Sequence, residues 1–233
     1  MVSNGCPDLF SLCKADSTKP TNSNQAAGQD DGEGIFHEKQ RSAQCAIHTL
    51  NNLYQEHWIS RQMMDELADI TFQEYKELCR KSSLRPPIFN RYKNFWGNYD
   101  INVIVRALQI RQAKFQKHLV MNKKRTNLEE IQGNLDQIDY ASPDLIGFIV
   151  NVQASPFPIK HWYAVARVNG VFYNLNSNLQ EPQIIGSEKV DVQQWLEAVI
   201  RQPGTHVFMI EGKAAANPLS EASSHIKKKK FRM

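Results

Sequence analysis

The chain of 233 residues, 41% of them hydrophobic, is long enough for one domain of about 170–200 residues with tails, and no stretch reaches the roughly 18 apolar residues of a membrane span. Its net charge of +4 becomes −1 once the five basic residues of the last eight, IKKKKFRM, are set aside, so the composition does not indicate a nucleic-acid-binding protein. The first residues lack the basic region and apolar run of a secretory signal, so we expect a reducing compartment, the cytoplasm or the nucleus, in which the four cysteines are thiols.

Two terminal segments are predicted to be disordered, because residues 1–34 and 213–233 hold few large apolar side chains and cannot offset the entropy lost on ordering. The basic run in the second segment suggests a nuclear-import signal or a contact with acidic surfaces, although a solvated tail without a specific role explains it equally well. Between the tails we see neither a repeat nor a linker, so residues 35–212 are predicted to form one domain.

Three helices are predicted in the first half of this domain, each from a capping residue followed by apolar residues at helical spacing. The predicted N-caps are Ser42, Ser60 and Asp100. The helix after Ser60 continues to about Lys81, beyond which two prolines break the pattern. In the third helix, one face collects Val103, Ala107 and Ile110.

Strand patterns dominate the second half. The run LIGFIVNV (145–152) is continuously apolar, which suits a central strand, and HWYAVARV and VFYNLNS flank Asn169-Gly170, the strongest hairpin-turn signal. QAKFQKHL and THVFMIEG predict further strands, DVQQWLEAVIRQ predicts a short helix, and residues 120–144 are predicted to form a partly helical surface insertion. Helices followed by antiparallel strands favour an α+β fold.

The predicted hairpin assigns its side chains to two faces. With Asn169 and Gly170 in the turn, Val168 pairs with Val171, and successive side chains point to opposite faces. One face is nearly all apolar and is predicted to be core. It comprises Trp162, Ala164, Ala166, Val168, Val171, Tyr173 and Leu175.

His161 and Asn176 share the other, more polar face as diagonal neighbours, whose backbones lie roughly 7–8 Å apart. The amide oxygen of Asn176 could accept the Nδ1–H of the imidazole, which would fix its tautomer and leave Nε2 free as a base. The alternative is an exposed histidine and an asparagine that only ends the strand.

Cys45 is the third residue of the helix predicted to begin after Ser42. The unpaired N–H groups and the positive dipole end of a helix N-terminus lower a thiol pKa from about 8.5, which suits a nucleophile. Two alternatives stay open: an inert buried cysteine, or a metal ligand together with His48 and His37, although no second Cys/His pair supplies the spacing of a structural zinc site. Gln40 could donate its side-chain NH₂ to an oxyanion together with the backbone N–H of Cys45, or be a polar surface residue.

Four separated blocks then fit one known family. FHEKQ-x4-C-A-x-H-x-L-N-N (36–52), GNYDINVI (97–104), HWYAV (161–165) and FYNLNS (172–177) resemble the Josephin domain of papain-like cysteine proteases that remove ubiquitin. The resemblance covers about residues 35–212 and is greatest to the short Josephin proteins, including the plant Josephin-like ones. It implies a papain-like α+β fold in which N-terminal helices, one of them in a helical arm, pack on an antiparallel sheet.

The resemblance also implies roles for four residues. Cys45 would be the nucleophile, His161 the general base, Asn176 the residue that orients the histidine, and Gln40 the oxyanion-hole donor. No metal or cofactor would be needed. Two other functions stay open: a ubiquitin-binding module with weak or no protease activity, and a papain-like enzyme of another class such as an acyltransferase.

The family's arm, here about residues 60–95, helps to admit ubiquitin. Candidate contacts with ubiquitin are Met63, Met64, Leu67 and Phe72, although methionine and aromatic residues at helical spacing are more often core. The expected partners are ubiquitin, ubiquitinated proteins and polyubiquitin chains, and we expect a monomer that binds no nucleic acid and does not span a membrane.

Overall fold

The computed structural model describes residues 34–94, 97–120, 134–154 and 159–212. The two segments predicted to be disordered lie outside the described residues, apart from Gly34, so their disorder stays a prediction. No helix in the described part of the chain is long and apolar enough to cross a membrane.

Two of the three predicted helix starts are confirmed. α1 spans Cys45–Tyr54, α2 spans Arg61–Lys81 and α3 spans Ile101–Ile110. The side chain of Ser60 accepts the backbone N–H of Met63, and the side chain of Asp100 accepts the backbone N–H of Asn102. These side chains satisfy N–H groups that have no partner within the helix.

The predicted start of α1 at Ser42 is wrong. Ser42 has a φ of +56°, which is the left-handed region rather than the extended conformation of an N-cap. The residue at the N-cap position is Gln44, whose side chain makes no capping hydrogen bond. Cys45 is therefore the first helical residue and not the third.

The face predicted for α3 is partly wrong. Val103 and Ala107 are buried, but Ile110 is 55% exposed. The helix is rotated so that Ile104 and Leu108 complete the buried stripe, which is the usual a/d/e pattern of a helix that packs by one face.

One antiparallel sheet of six strands forms the centre of the described structure, in the order β1-β6-β2-β3-β4-β5. Between β5 and β6 lies a further helix, here labelled α4 (Lys189–Ile200). The strand bounds are β1 Lys114–Val120, β2 Leu145–Ala154, β3 Ile159–Val168, β4 Val171–Leu175, β5 Gln183–Gly186 and β6 His206–Glu211. The apolar strand β2 lies inside the sheet between β6 and β3, as predicted.

The predicted register of the hairpin is confirmed. Val168 pairs with Val171 and Ala164 pairs with Leu175. Asn169 and Gly170 both have positive φ, +50° and +86°, which is the geometry of the two-residue turn whose twist matches that of the strands.

Both faces of the sheet are covered, which the sequence did not predict. The apolar face of the hairpin packs against α1 and α3 in one core, as expected. The opposite face, predicted to be more polar, contributes Tyr163, Val165 and Phe172 to a second core under α4. Residues 134–140 close this second core through Leu135, Ile138 and Tyr140, so the described end of the segment predicted to be a surface insertion is partly core.

Candidate active site

The short segment before α1 brings the N-terminal part of the domain to the end of the hairpin. The backbone N–H of Gln40 donates to the carbonyl of Ser177 at 2.7 Å, and His37 Nε2 donates to the carbonyl of Asn176 at 3.1 Å. Asn52 of α1 supports the same junction, because its Nδ2 donates to the carbonyl of Leu175 at 3.1 Å. Residues that are 139 positions apart in the chain thus meet at one edge of the domain.

Cys45 begins α1 and is 2% exposed. Burial raises the pKa of its thiol, while hydrogen bonds from the backbone N–H groups of Trp162, Ala46 and Cys45 itself act in the lowering direction and are outweighed. The predicted low pKa is therefore wrong. The N–H groups of the helix N-terminus reach the sulfur as expected, but excluding water destabilises the thiolate more than they stabilise it.

His161 and Asn176 are joined by a hydrogen bond of 2.8 Å between His161 Nε2 and Asn176 Oδ1. The two residues predicted to be diagonal neighbours on one face are thus in direct contact. The ring atom differs from the prediction, which gave this bond to Nδ1. The hydrogen bond at Nε2 leaves Nδ1 as the ring atom available for proton transfer.

A second hydrogen bond fixes the tautomer of His161. The backbone N–H of Asn178 donates to Asn176 Oδ1 at 3.0 Å, and a backbone N–H is always a donor. The atom between it and the imidazole must therefore be the carbonyl oxygen of the Asn176 amide and not its nitrogen. Because an oxygen accepts from both sides, Nε2 carries the proton and Nδ1 of the neutral ring is a base.

Burial also affects the charge of His161. It lowers the pKa of the imidazole, and the hydrogen bond to Asn176 opposes this shift without cancelling it. Burial therefore disfavours both the imidazolium of His161 and the thiolate of Cys45. Both shifts favour a neutral thiol and a neutral imidazole in the absence of substrate.

Gln40 is held at both ends of its side-chain amide. Ser177 Oγ donates to its Oε1 at 3.1 Å, and its Nε2 donates to the carbonyl of Ser42 at 3.0 Å. An amide nitrogen has two hydrogens, so one remains for a further acceptor. The half-buried position of Gln40 beside Ser177 places this donor next to the residue that follows Asn176.

The four predicted site residues are brought together to different degrees. His161 bonds directly to Asn176, Gln40 bonds to the next residue, Ser177, and the Cys45 thiol meets the backbone of Trp162, which follows His161. Within the described residues, no hydrogen bond joins the thiol to the imidazole. In enzymes without substrate such bonds are often long and tighten only in the substrate complex.

A polar cluster around Glu38 supports this site and was not predicted. His48 Nδ1 donates to Glu38 Oε2 at 2.8 Å, Asn51 Nδ2 donates to the same oxygen at 3.0 Å, and His57 contacts Oε1. Burial acts to raise the pKa of Glu38, but the hydrogen bonds from these side chains outweigh it and hold that pKa below its usual value. The opposite ring nitrogen of His48 accepts the backbone N–H of Arg41 at 3.2 Å.

This cluster fixes the segment that carries Gln40, because Glu38 and Arg41 are both held by side chains of α1. The sequence did contain a signal for it. His48, Asn51 and Asn52 lie among apolar residues of α1 and are all buried, and buried polar side chains require partners. The sequence did not show which groups these partners are.

The cluster also weighs against the metal alternative for Cys45. His37 is bonded to Asn176 and His48 lies between Glu38 and Arg41, so neither histidine joins Cys45 in a ligand set. Among the described residues, no group of three His, Cys, Asp or Glu side chains could hold a metal ion.

The candidate ubiquitin contacts are mostly buried. Met64, Leu67 and Phe72 are buried beneath α2, and only Met63 is exposed, at 36%. These three buried side chains lie on the face of α2 that packs inward. Of the four residues predicted to contact ubiquitin, only Met63 therefore has an exposed side chain. The more exposed apolar residues of α2 and the chain after it are Ile70, Leu78, Leu84, Ile88 and Phe89.

Comparison with known proteins agrees with this architecture. The family model described as Josephin matches residues 40–211. A Josephin-like protein from Drosophila melanogaster is 35% identical over 72% of this chain and 69% of its own length, and Josephin-2 from Mus musculus is 32% identical over 76% and 85%. Ataxin-3 from Homo sapiens is 29% identical over 77% of this chain and 46% of its own length. The chain belongs to the Josephin family.

Proposed function

We propose that the protein is a thiol-dependent deubiquitinase, which hydrolyses the amide or isopeptide bond after the C-terminal glycine of ubiquitin. Membership of the Josephin family supports the class of reaction. The observation that carries the proposal is the hydrogen bond from His161 Nε2 to Asn176 Oδ1. It leaves Nδ1 as a base on the residue that precedes Trp162, whose backbone N–H contacts the Cys45 thiol.

The proposed first step is attack by Cys45. His161 Nδ1 takes the proton of the thiol as the sulfur forms a bond to the carbonyl carbon, and the π electrons of that carbonyl move to its oxygen. The backbone N–H of Cys45 and the second Nε2 hydrogen of Gln40 stabilise the oxyanion. Asn176 stabilises the imidazolium through the Nε2–H bond.

The proposed second step releases the amine and then the ubiquitin. The oxyanion collapses, the carbon–nitrogen bond breaks, and the imidazolium gives its proton to the leaving lysine amine. Water, deprotonated by His161 Nδ1, then attacks the thioester, and the sulfur leaves and recovers the proton. A neutral resting pair suits this sequence, because His161 must act first as a base.

A second candidate function is a ubiquitin-binding module with weak activity. It is favoured by the 2% exposure of Cys45, by its raised thiol pKa, and by the missing hydrogen bond between thiol and imidazole. In that case ubiquitin would bind the folded chain but would be released unchanged.

Hydrolysis of ubiquitin that carries a fluorogenic amine at its C-terminus separates the two functions. We expect turnover by the full chain, none by Cys45→Ala, and a loss of about 10²- to 10⁴-fold in His161→Ala. Cys79→Ala is the matched control, because Cys79 is the other buried free thiol among the described residues. Binding without turnover would favour the module, and turnover that survives Cys45→Ala would reject the proposed nucleophile.

A further inference from the structure

The side chain of Asn178 lies beside the catalytic imidazole proposed above. Its Nδ2 is 3.4 Å from His161 Nε2, the same ring atom that contacts Asn176 at 2.8 Å. Asn178 is half-buried and lies in the turn that follows β4. Neither the family resemblance nor the proposed mechanism gives this residue a role.

The backbone of Asn176 is held in its turn, and its side-chain oxygen is oriented by one further hydrogen bond besides the one to His161. Its own backbone N–H donates to Asn174 Oδ1 at 3.2 Å, and its carbonyl accepts from His37 Nε2 at 3.1 Å and from the backbone of Leu179 at 2.9 Å. Its Oδ1 accepts the backbone N–H of Asn178. The proton on His161 Nε2 is therefore fixed by a set of contacts that does not involve the Asn178 side chain.

Because Nε2 carries the proton, only an acceptor can form a hydrogen bond with it, and this decides which end of the Asn178 amide faces the ring. An amide nitrogen at 3.4 Å from a protonated ring nitrogen sets two donors against each other, which is not a hydrogen bond. The two ends of an asparagine amide have nearly the same shape, so they are assigned from their hydrogen-bond partners. Among the described residues, no other hydrogen bond holds the Asn178 amide in this orientation.

We propose that Asn178 is a second positioning residue for His161, with its amide oxygen turned toward Nε2–H so that the proton is shared between Asn176 and Asn178. Its effect on catalysis rests on the proposed function, whereas the contact between Asn178 and His161 does not. At 3.4 Å the Asn178 contact is the weaker of the two. Its oxygen strengthens as an acceptor when the ring becomes charged, so it helps to hold the imidazolium formed during attack.

Few other groups near His161 could affect the measurement of its pKa. Tyr163 stacks on the ring with centroids 6.0 Å apart, the Cys45 thiol meets the backbone of the next residue, and His37 lies beyond Asn176. Lys160 precedes His161 on β3 and is exposed. Substitutions at Asn178 leave all of these groups in place.

Titration of His161 by NMR tests the contact without requiring activity. In the full chain carrying Cys45→Ala, we expect Asn178→Leu to lower the His161 pKa, because it removes an acceptor that favours the charged ring, and Asn178→Asp to raise it. Gln180→Leu, in the same turn and exposed, is the control and should leave the pKa unchanged. An unaltered pKa in Asn178→Leu overturns the proposal.

Kinetics then test the consequence. With the thiol intact, we expect Asn178→Leu to lower kcat by about 2- to 10-fold, the value of one hydrogen bond, with little change in KM. The loss should be larger in an Asn176→Ala background, where Asn178 is the remaining acceptor. Equal losses in both backgrounds would overturn the shared-proton arrangement. If wild type shows no turnover, the proposed function fails, while the NMR titration still decides the role of Asn178.

Discussion

Cys45 and His161 show how burial acts on two groups whose charged forms have opposite sign. It raises the pKa of the thiol and lowers that of the imidazole, because in each case it removes water from the charged form. The backbone N–H groups at the thiol and the amide oxygen at the imidazole reduce these shifts but do not reverse them. The pair is thus prepared for proton transfer within the substrate complex and not for a permanent ion pair.

The pH dependence of kcat/KM follows from the lowered pKa of His161. The base acts when neutral, and a lowered pKa keeps it neutral to more acidic pH, so we expect the acidic limb of the profile to lie below the ordinary histidine value of about 6.5. An acidic limb clearly above that value would contradict the neutral resting pair.

Alkylation of Cys45 by iodoacetamide provides the corresponding test of the thiol. Because its pKa is raised, we expect slow labelling at pH 7 and a rise only above the ordinary thiol value of about 8.5. Peptide mapping separates Cys45 from the other cysteines. Fast labelling that is constant between pH 5 and 8 would indicate a stable thiolate instead.

At the scale of elements, the segment before α1 depends on contacts that local sequence could not reveal. The hairpin register was predictable because Asn169-Gly170 specifies a two-residue turn and alternation then assigns each face. The start of α1 was not, because the segment before it is held by His48 and Ser177 and not by a local cap. The ring nitrogen that bonds Asn176 was missed for the same reason, since ring orientation depends on neighbours distant in sequence.

Glu38→Gln tests the importance of this segment. The substitution keeps the shape but removes the charge that accepts from His48, Asn51 and His57, so we expect a loss of about 1–3 kcal/mol in the free energy of unfolding at pH 7. Because the folded-state pKa of Glu38 is lowered, its contribution is present above the unfolded value and is lost as pH falls through the folded value. The difference between wild type and variant should therefore shrink toward pH 3.

Denaturant unfolding at several pH values measures this effect, with Glu181→Gln as the control because Glu181 is exposed. A pH-independent difference would show that the carboxylate charge is not what holds the segment. Activity should fall as well, since Gln40 follows Glu38 by two residues.

At the scale of the whole molecule, one sheet separates two cores, and the candidate site lies where the segment before α1 meets the end of the β3–β4 hairpin. The α+β class and the central position of β2 were predictable from the order of helices and strands and from one apolar run. The second core was not predictable. It is built by α4 and residues 134–140 on the opposite face of the sheet, and that face also carries polar side chains at the ends of its strands. His161 and Asn176 are two of these polar residues, and from the sequence they made the whole face look polar.

Reaction with ubiquitin that carries a C-terminal electrophile tests the central claim most directly, because it joins ubiquitin recognition to the identity of the nucleophile. Intact mass and peptide mapping should show one adduct per chain, at Cys45, retained in Cys79→Ala, absent in Cys45→Ala and formed much more slowly in His161→Ala. An adduct at Cys6, Cys13 or Cys79, or no adduct while ubiquitin still binds, would contradict the assignment of Cys45 as the nucleophile of a deubiquitinase.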